Sequence, residues 1–257
     1  MREDYLLEVN NLRVSYGIVK AVQDISFNVL PGEIFGLLGP NGAGKTSTLS
    51  SVEGLLKFDS GSITIDGFNV IKEPFKARAS MGVQLQSTSF QPELNVGQIL
   101  YLFAGIYGVP LNTEKLKNIL ADINLEDSAH KKFGQLSGGQ QQRVSLVIAT
   151  IHNPRLVLLD EPTTGLDPQS RRQLWDRMEV IKQRGHSILL TTHSMEEAEA
   201  ICDRIAIVDH GSIIEINTPQ ALIEKYRHDP EVIAVSRRNK ITLEDVFIAL
   251  TGRAIRA

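Results

Sequence analysis

The octet Gly39-Pro-Asn-Gly-Ala-Gly-Lys45-Thr46 constrains this chain more than any other stretch of it. It has the spacing G-x-x-x-x-G-K-[ST], in which glycines let successive backbone N–H groups converge on a phosphate without interference from Cβ atoms. Gly39, Pro40, Asn41, Gly42, Ala43, Gly44, Lys45, Thr46 and Ser47 are therefore candidate nucleotide contacts. Lys45 adds a point charge and Thr46 a hydroxyl for magnesium. The flanks agree, since Ile34-Phe-Gly-Leu-Leu38 is an apolar run suited to a buried strand and Lys45 to Leu55 reads as a helix. A helix starting there puts roughly half a positive charge at the phosphates.

The rest of the chain changes texture twice. Ile25, Phe27 and Val29 alternate with Ser26 and Asn28 as in a half-buried strand, and Ile63-Thr-Ile65 before Asp66-Gly67 reads as a strand entering a turn. Antiparallel sheet is therefore expected around the phosphate loop. From Pro92 onward the spacing becomes helical, with Ile99, Leu102, Phe103 and Ile106 in one segment and Leu116, Ile119, Leu120 and Ile123 in the next. Asn95 with Gln98 forms a helix-starting box. Apolar strands return at Leu156–Leu159, Ile188–Leu190 and Ile205–Val208, followed by a polar turn near Asp209-His-Gly211 and a further strand. Strand lobe, helical lobe, strand lobe is the order expected of a helical insertion into one α/β core. The boundaries are a core of residues 1–86 and 152–220, a helical insertion of 87–151 and a C-terminal extension of 221–257. In that extension Thr242 and Asp245 cap a helix with Leu243, Val246, Phe247 and Leu250 on its apolar face, and Gly252 ends it.

Three further features carry chemistry. The strand Leu156–Leu159 opens into Asp160-Glu161, placing two carboxylates at the carboxyl end of a buried strand. Asp160 is suited to hold magnesium and Glu161 to orient and polarise an attacking water. His193 ends the run Ile188-Leu-Leu-Thr-Thr-His193 in the equivalent place, within reach of a γ-phosphate; the other five histidines stand out in no such way. The third feature is Leu136-Ser-Gly-Gly-Gln-Gln-Gln-Arg143. Ser137 and Gln140 fit a capping box, and Gly138-Gly139 leave amides exposed at a helix start, itself an anion site. Two phosphate-seeking elements with one set of magnesium and base residues point to two molecules stacked head to tail. Each loop's ATP is then covered by the partner copy's Ser137–Gln140 segment.

With these residues in place the chain resembles the nucleotide-binding subunit of an ATP-binding cassette (ABC) transporter over nearly its whole length. The resemblance implies a P-loop NTPase core, a mixed sheet flanked by helices, with an N-terminal antiparallel β subdomain and an inserted α-helical subdomain. By position, Gly39 to Thr46 match Walker A, Asp160 and Glu161 complete Walker B, Leu136 to Gln140 match the signature, and His193 matches the switch histidine. Gln86 matches the Q-loop glutamine that touches magnesium and relays nucleotide state to a transmembrane partner. Leu85 stands where many relatives have proline, and Gln84 is the alternative. Tyr16 matches the aromatic that stacks on adenine, an interaction that needs only an exposed ring face. Gly165-Leu-Asp167 matches the D-loop, whose Asp167 lies at the dimer interface and couples the two sites.

The same resemblance implies ATP and Mg2+ as ligands and separate transmembrane permease subunits as partners. It also implies a second copy of the chain, or a paralogous ATPase subunit, and a place on the cytoplasmic face of the cell membrane. The ending Thr242-Leu-Glu-Asp-Val-Phe-Ile-Ala-Leu-Thr-Gly252 is similar to that of the drug-resistance and polysaccharide exporter subgroup, so export is the expected direction. The alternative is a soluble ABC ATPase acting on a macromolecule, as in the family's translation and DNA-repair branches. Those relatives usually have two cassettes in one chain or a long coiled-coil insertion. A formal net charge of −3 with dispersed basic residues gives no general attraction to nucleic acid, and no such partner is expected. The single cysteine, Cys202, excludes an intrachain disulfide and reads as a small core residue. No cleavable apolar segment follows Met1-Arg-Glu-Asp-Tyr5, and no run reaches the roughly 18 apolar residues of a membrane span, so the chain is expected to be soluble. No N-K-x-D guanine motif is present.

Overall fold

The computed structural model describes residues 5–84, 90, 93–236 and 240–252. Two long antiparallel strands come first, β1 (Leu7–Tyr16) and β2 (Val19–Val29). Alternation buries Ile25, Phe27 and Val29 on one face of β2, as the sequence pattern requires. The fully buried β3 (Ile34–Leu38) then delivers the phosphate loop to α1 (Lys45–Val52). This helix ends three residues earlier than expected. Gly54 turns into the left-handed region (φ 69°), and the N–H groups of Leu55 and Leu56 both fold back onto the Ser50 carbonyl.

Antiparallel β4 (Ser60–Ile65) and β5 (Phe68–Asn69) join through Asp66 and Gly67, both at positive φ, as a tight hairpin demands. Then come α2 (Pro74–Ala79), β6 (Met81–Gln84), and three helices of the insertion: α3 (Val96–Ile106), α4 (Thr113–Asp122) and α5 (Gly138–Thr150). The chain re-enters the sheet at β7 (Leu156–Asp160) and continues through α6 (Pro168–Gln183), β8 (Ser187–Thr192), α7 (Met195–Ile201), β9 (Arg204–Asp209) and β10 (Ser212–Asn217). It closes with α8 (Pro219–Tyr226), α9 (Pro230–Val235) and α10 (Leu243–Thr251).

Among the described residues the strands form one mixed sheet in the order β5-β4-β1-β2-β10-β9-β3-β8-β7-β6. β3, β8, β7 and β6 are mutually parallel, so their carboxyl ends, and the loops after β3, β7 and β8, open on the same side. Every residue of β3, β7 and β8 is buried, as expected for central parallel strands covered on both faces.

Among the described residues three apolar clusters fill the structure. One lies beneath the antiparallel strands, a second lies between the parallel strands and α5–α7 and takes in α8 and α10, and a third belongs to the insertion. Helix α5 serves two of them: Val144, Val147 and Ile148 face the insertion, whereas Leu146 and Ala149 face the sheet. On α3 the expected stripe divides, because Leu102 and Ile106 are 50% and 65% exposed. The buried face is instead Val96, Ile99, Leu100 and Ala104, set by packing on α4 and α5. The C-terminal helix behaves as its sequence requires. Thr242 and Asp245 cap it reciprocally, Gly252 ends it at φ 65°, and Leu243 and Phe247 are fully buried, each contributing about 1.5–3 kcal/mol. Cys202 is buried against Gly36.

Candidate nucleotide site

The loop after β3 is held where only glycine fits. A Cβ on Gly39 would fall 2.2 Å from the Val208 carbonyl oxygen, and one on Gly44, at φ 99°, 2.4 Å from that of Ala21. Gly39 N–H donates to Thr192 O at 3.1 Å, fastening the loop to the end of β8. No side chain caps α1, so its first amides remain available to an anion.

Lys45 is buried at 4% exposure, with Nζ donating to the carbonyls of Gly39 (2.8 Å) and Pro40 (3.0 Å). Burial pulls its ammonium below the usual lysine range, opposed by the nearby Glu161 and Asp160 carboxylates. Asp160, the last residue of β7, accepts a hydrogen bond from Thr46 Oγ1 (3.3 Å) and another from Thr191 Oγ1. The register of β7 against β8 sets Asp160 directly beside Thr191.

Glu161 follows in the left-handed region (φ 45°), an uncommon conformation for a residue with a Cβ. Its N–H is held by Thr191 O and Oγ1 at 3.2 and 3.0 Å. This turn brings its carboxylate among three groups: Lys45 Nζ at 3.6 Å, Thr164 Oγ1 donating at 3.1 Å, and His193 Nδ1 at 3.3 Å. The histidine approach is close but has no hydrogen-bond alignment.

Asn41, Gly42, Gly44, Lys45, Thr46, Ser47, Glu161 and His193 thus line one open cavity of about 780 Å³. Tyr16 stands at its rim, half exposed, with Oη 3.4 Å from Ser47 Oγ. Pro40 and Ala43 complete the loop, joined by a hydrogen bond from Ala43 N–H to Pro40 O.

Leu136–Gln140 and Asp167 do not line this cavity. Ser137 caps α5, its Oγ accepting from Gln140 N–H at 3.3 Å while Gln140 Oε1 accepts from Ser137 N–H at 2.9 Å. Leu136 anchors the turn in the core of the insertion, and Ser137 and Gly138 are exposed. Gly139 approaches α6 so closely that a Cβ there would sit 2.6 Å from Ser170 Oγ. Ser170 in turn donates to Asp167, which also accepts from the N–H groups of Gln169 and Ser170 and so caps α6. The starts of α5 and α6 therefore form one continuous surface. Gln86 lies outside the described residues. Gln84, the alternative, lies within β6 opposite Leu159 and is hydrogen-bonded to Gln142.

Several participants were missed by the sequence reading. Thr191 and Thr164 hold the two carboxylates, and their only signal was a polar residue at the end of an apolar strand or within a turn. Val19, Gln23 and His210 line the cavity from β2 and the β9–β10 turn. Glu53 is buried beneath the site, and burial, aided by the charge of Asp160, raises its carboxyl pKa to about 7.

Comparison with known proteins settles the family. Residues 22–164 match the ABC transporter family. The chain belongs to it. This ABC subunit is 35% identical to Nod factor export ATP-binding protein I of Rhizobium sp. (strain N33), over 96% of its own length and 97% of the relative's. It is 37% identical to linearmycin resistance ATP-binding protein LnrL of Bacillus subtilis (strain 168), covering 87% and 73% respectively. A solved structure of an ATP-binding subunit of an ABC transporter superposes with TM-score 0.81 at 29% identity, over 95% of this chain and 99% of that one. A nucleotide-free ATP-binding cassette from an ABC transporter superposes at 0.78 and 24% identity, over 89% and 97%, a likeness in fold. The subunit is thus the ATP-binding component of an ABC transporter, in a family of ATPases, with a P-loop core. No described helix is long and apolar enough to cross a membrane.

Proposed function

We propose that this subunit hydrolyses ATP in a site completed by a second copy or a paralogue, and that the resulting closure and reopening drives a separate transmembrane permease in export. The observation that carries this reading is the separation of two phosphate-seeking helix starts. The start of α1 lines the cavity, whereas the start of α5 is exposed, uses its serine as a cap and lies outside it. A partner copy turned head to tail presents its Ser137–Gln140 segment to the ATP held by Gly39–Ser47, with Asp167 at the same interface. Closure follows from differential affinity, because ATP completes its contacts only in the dimer.

Within each site the residues divide the work. Tyr16 offers its ring face to adenine. Lys45 and the amides of α1 hold the phosphates. Glu161, held by Thr164 and the backbone of Thr191, takes the role of general base, and His193 contacts the γ-phosphate side of the attacking water. Thr46 Oγ1 and Asp160 Oδ1 are hard oxygen donors 3.3 Å from one another, a set that fits Mg2+; Gln86, outside the described residues, is the further ligand that the family resemblance implies. When bound, the ion would neutralise charge on the phosphates.

Export rests on the names of the relatives and on the C-terminal ending, and placement at the cytoplasmic face of the membrane follows from work with a permease. We read residues 1–86 and 152–220 as the core, 87–151 as the helical insertion and 221–257 as an extension. Affinity capture from detergent-solubilised membranes tests the reading. A multispanning membrane protein is expected to co-purify in stoichiometric amount; ribosomes or DNA without such a protein would refute the transporter assignment.

A further inference from the structure

Gln84 is the one polar residue of β6. It ends the edge strand β6, is 4% exposed, and stands in register with Leu159, one residue before Asp160 on β7. Leu159 belongs to the same apolar cluster as Leu146 and Ala149 of α5, and the contacts of Gly82 and Gln84 with that helix put α5 on the face they share. Helix and strand meet there at two points. Two residues before Gln84, a Cβ on Gly82 would fall 1.7 Å from the Ala149 carbonyl oxygen, so backbone lies against backbone. Two helical turns from Ala149, toward the start of α5, Gln84 Nε2 donates to Gln142 Oε1. Among the described residues the remaining amide oxygen of Gln84 is buried and has no hydrogen-bond partner.

Such a pair is a poor choice for stability alone. Two apolar side chains of the same shape would fill the space without leaving a buried acceptor unsatisfied. What the amides add is direction: a hydrogen bond has one productive geometry, whereas apolar contact tolerates sliding. Gln142 lies five residues from Ser137, about 7.5 Å along the helix axis. A tilt of α5 about the close Gly82–Ala149 contact therefore moves the Ser137 end, and the amide pair resists that tilt.

We propose that Gln84 and Gln142 are positioning residues, locking the exposed Ser137 start of α5 to the strand paired with β7 one residue short of Asp160. The proposal rests on the composite-site reading above. In that reading it makes the aim of one copy's signature segment depend on the strand beside its own magnesium-binding carboxylate. Neither glutamine touches nucleotide.

The test uses Gln84→Met, Gln142→Met and the double variant in the full chain, because methionine keeps the length and volume of glutamine and removes only the amide. Steady-state hydrolysis is expected to show kcat lowered about three- to tenfold with KM for ATP within about twofold. The double variant should be no worse than either single one, since each removes the same contact. In a Glu161→Gln background, the ATP concentration giving half-maximal dimer by gel filtration should rise by a similar factor, while Tm stays level or rises in Gln84→Met and the double variant; Gln142→Met, which leaves the buried Gln84 amide without a partner, should lower Tm. Hydrolysis and dimerisation within twofold of the parent in all three variants overturn the proposal. So does a loss of kcat matched in each variant by a fall in Tm, which would make the pair a packing contact. Ser137→Arg, measured in parallel, separates the two readings: full activity in that variant defeats the composite site itself, whereas lost activity beside unaffected methionine variants defeats only the amide pair.

Discussion

In the proposed reading the end of β7 and the start of α5 both meet phosphate chemistry, and they are finished to different degrees. At β7 every charged group already has a counterpart in the same chain: Asp160 is held by Thr46 and Thr191, and Glu161 by Lys45, Thr164 and His193. At α5 the helix start satisfies itself through the Ser137–Gln140 box and then faces outward. In the proposed reading the first region is a preorganised site that holds ATP in the isolated chain. The second has the shape of a lid for someone else's ligand.

The largest effect should come from the finished region. Glu161→Gln keeps the turn, the Thr191 clamp and the Lys45 cavity but removes the group that takes a proton from water. Hydrolysis should fall by about 10²–10⁴-fold, the range for loss of a general base, with ATP binding retained. Gel filtration with magnesium-ATP should show a persistent dimer; a monomer with unchanged turnover would remove Glu161 from the mechanism.

Ser137→Arg acts on the unfinished region and sharpens the contrast. It should lower hydrolysis by about 10²-fold, the scale for loss of a preorganised donor to phosphate. ATP affinity of the isolated chain should be unaltered, because Ser137 does not line its own cavity. Equal losses in binding and turnover would mean that the helix start serves its own chain, and the distinction between the two regions would fail.

The same contrast explains what the sequence made legible. Helix starts are local: Asn95 with Gln98, Ser137 with Gln140 and Thr242 with Asp245 each form the reciprocal box that their spacing implies. The phosphate loop and the carboxylates at the end of β7 were legible for the same reason, being short patterns at the ends of apolar runs. Features that depend on distant partners were not. Thr191 matters because β8 lies parallel to β7 in a register that puts it beside Asp160, a relation no window of sequence contains. Leu102 and Ile106 turn outward because α4 and α5 cover the other side of α3, which periodicity alone does not choose. Helix α1 stops early for a local reason that was readable, Gly54, but the apolar Leu55 and Leu56 beyond it concealed the stop.

The smallest predicted effect concerns a group that only the finished region possesses. Glu53 is buried below the phosphate loop, and its carboxyl, raised to about 7 by burial and by Asp160, is protonated in the folded chain at pH 5. The unfolded chain has the ordinary carboxylate value of 4.5, so between 4.5 and about 7 the folded state binds more protons. Its contribution to stability is therefore full below pH 4.5 and is lost as pH rises through about 7, where folding must bury a charge beside Asp160. Glu53→Gln supplies a neutral group of the same shape at every pH. Measured without nucleotide or magnesium, it should raise Tm by about 2–4 °C at pH 8, the shift that accompanies about 1 kcal/mol in a domain of this size. At pH 4, below the unfolded-chain value, the gain should vanish. A gain of equal size at both pH values would trace the effect to packing, and would mean that the reaction site tolerates a second buried carboxylate charge without penalty.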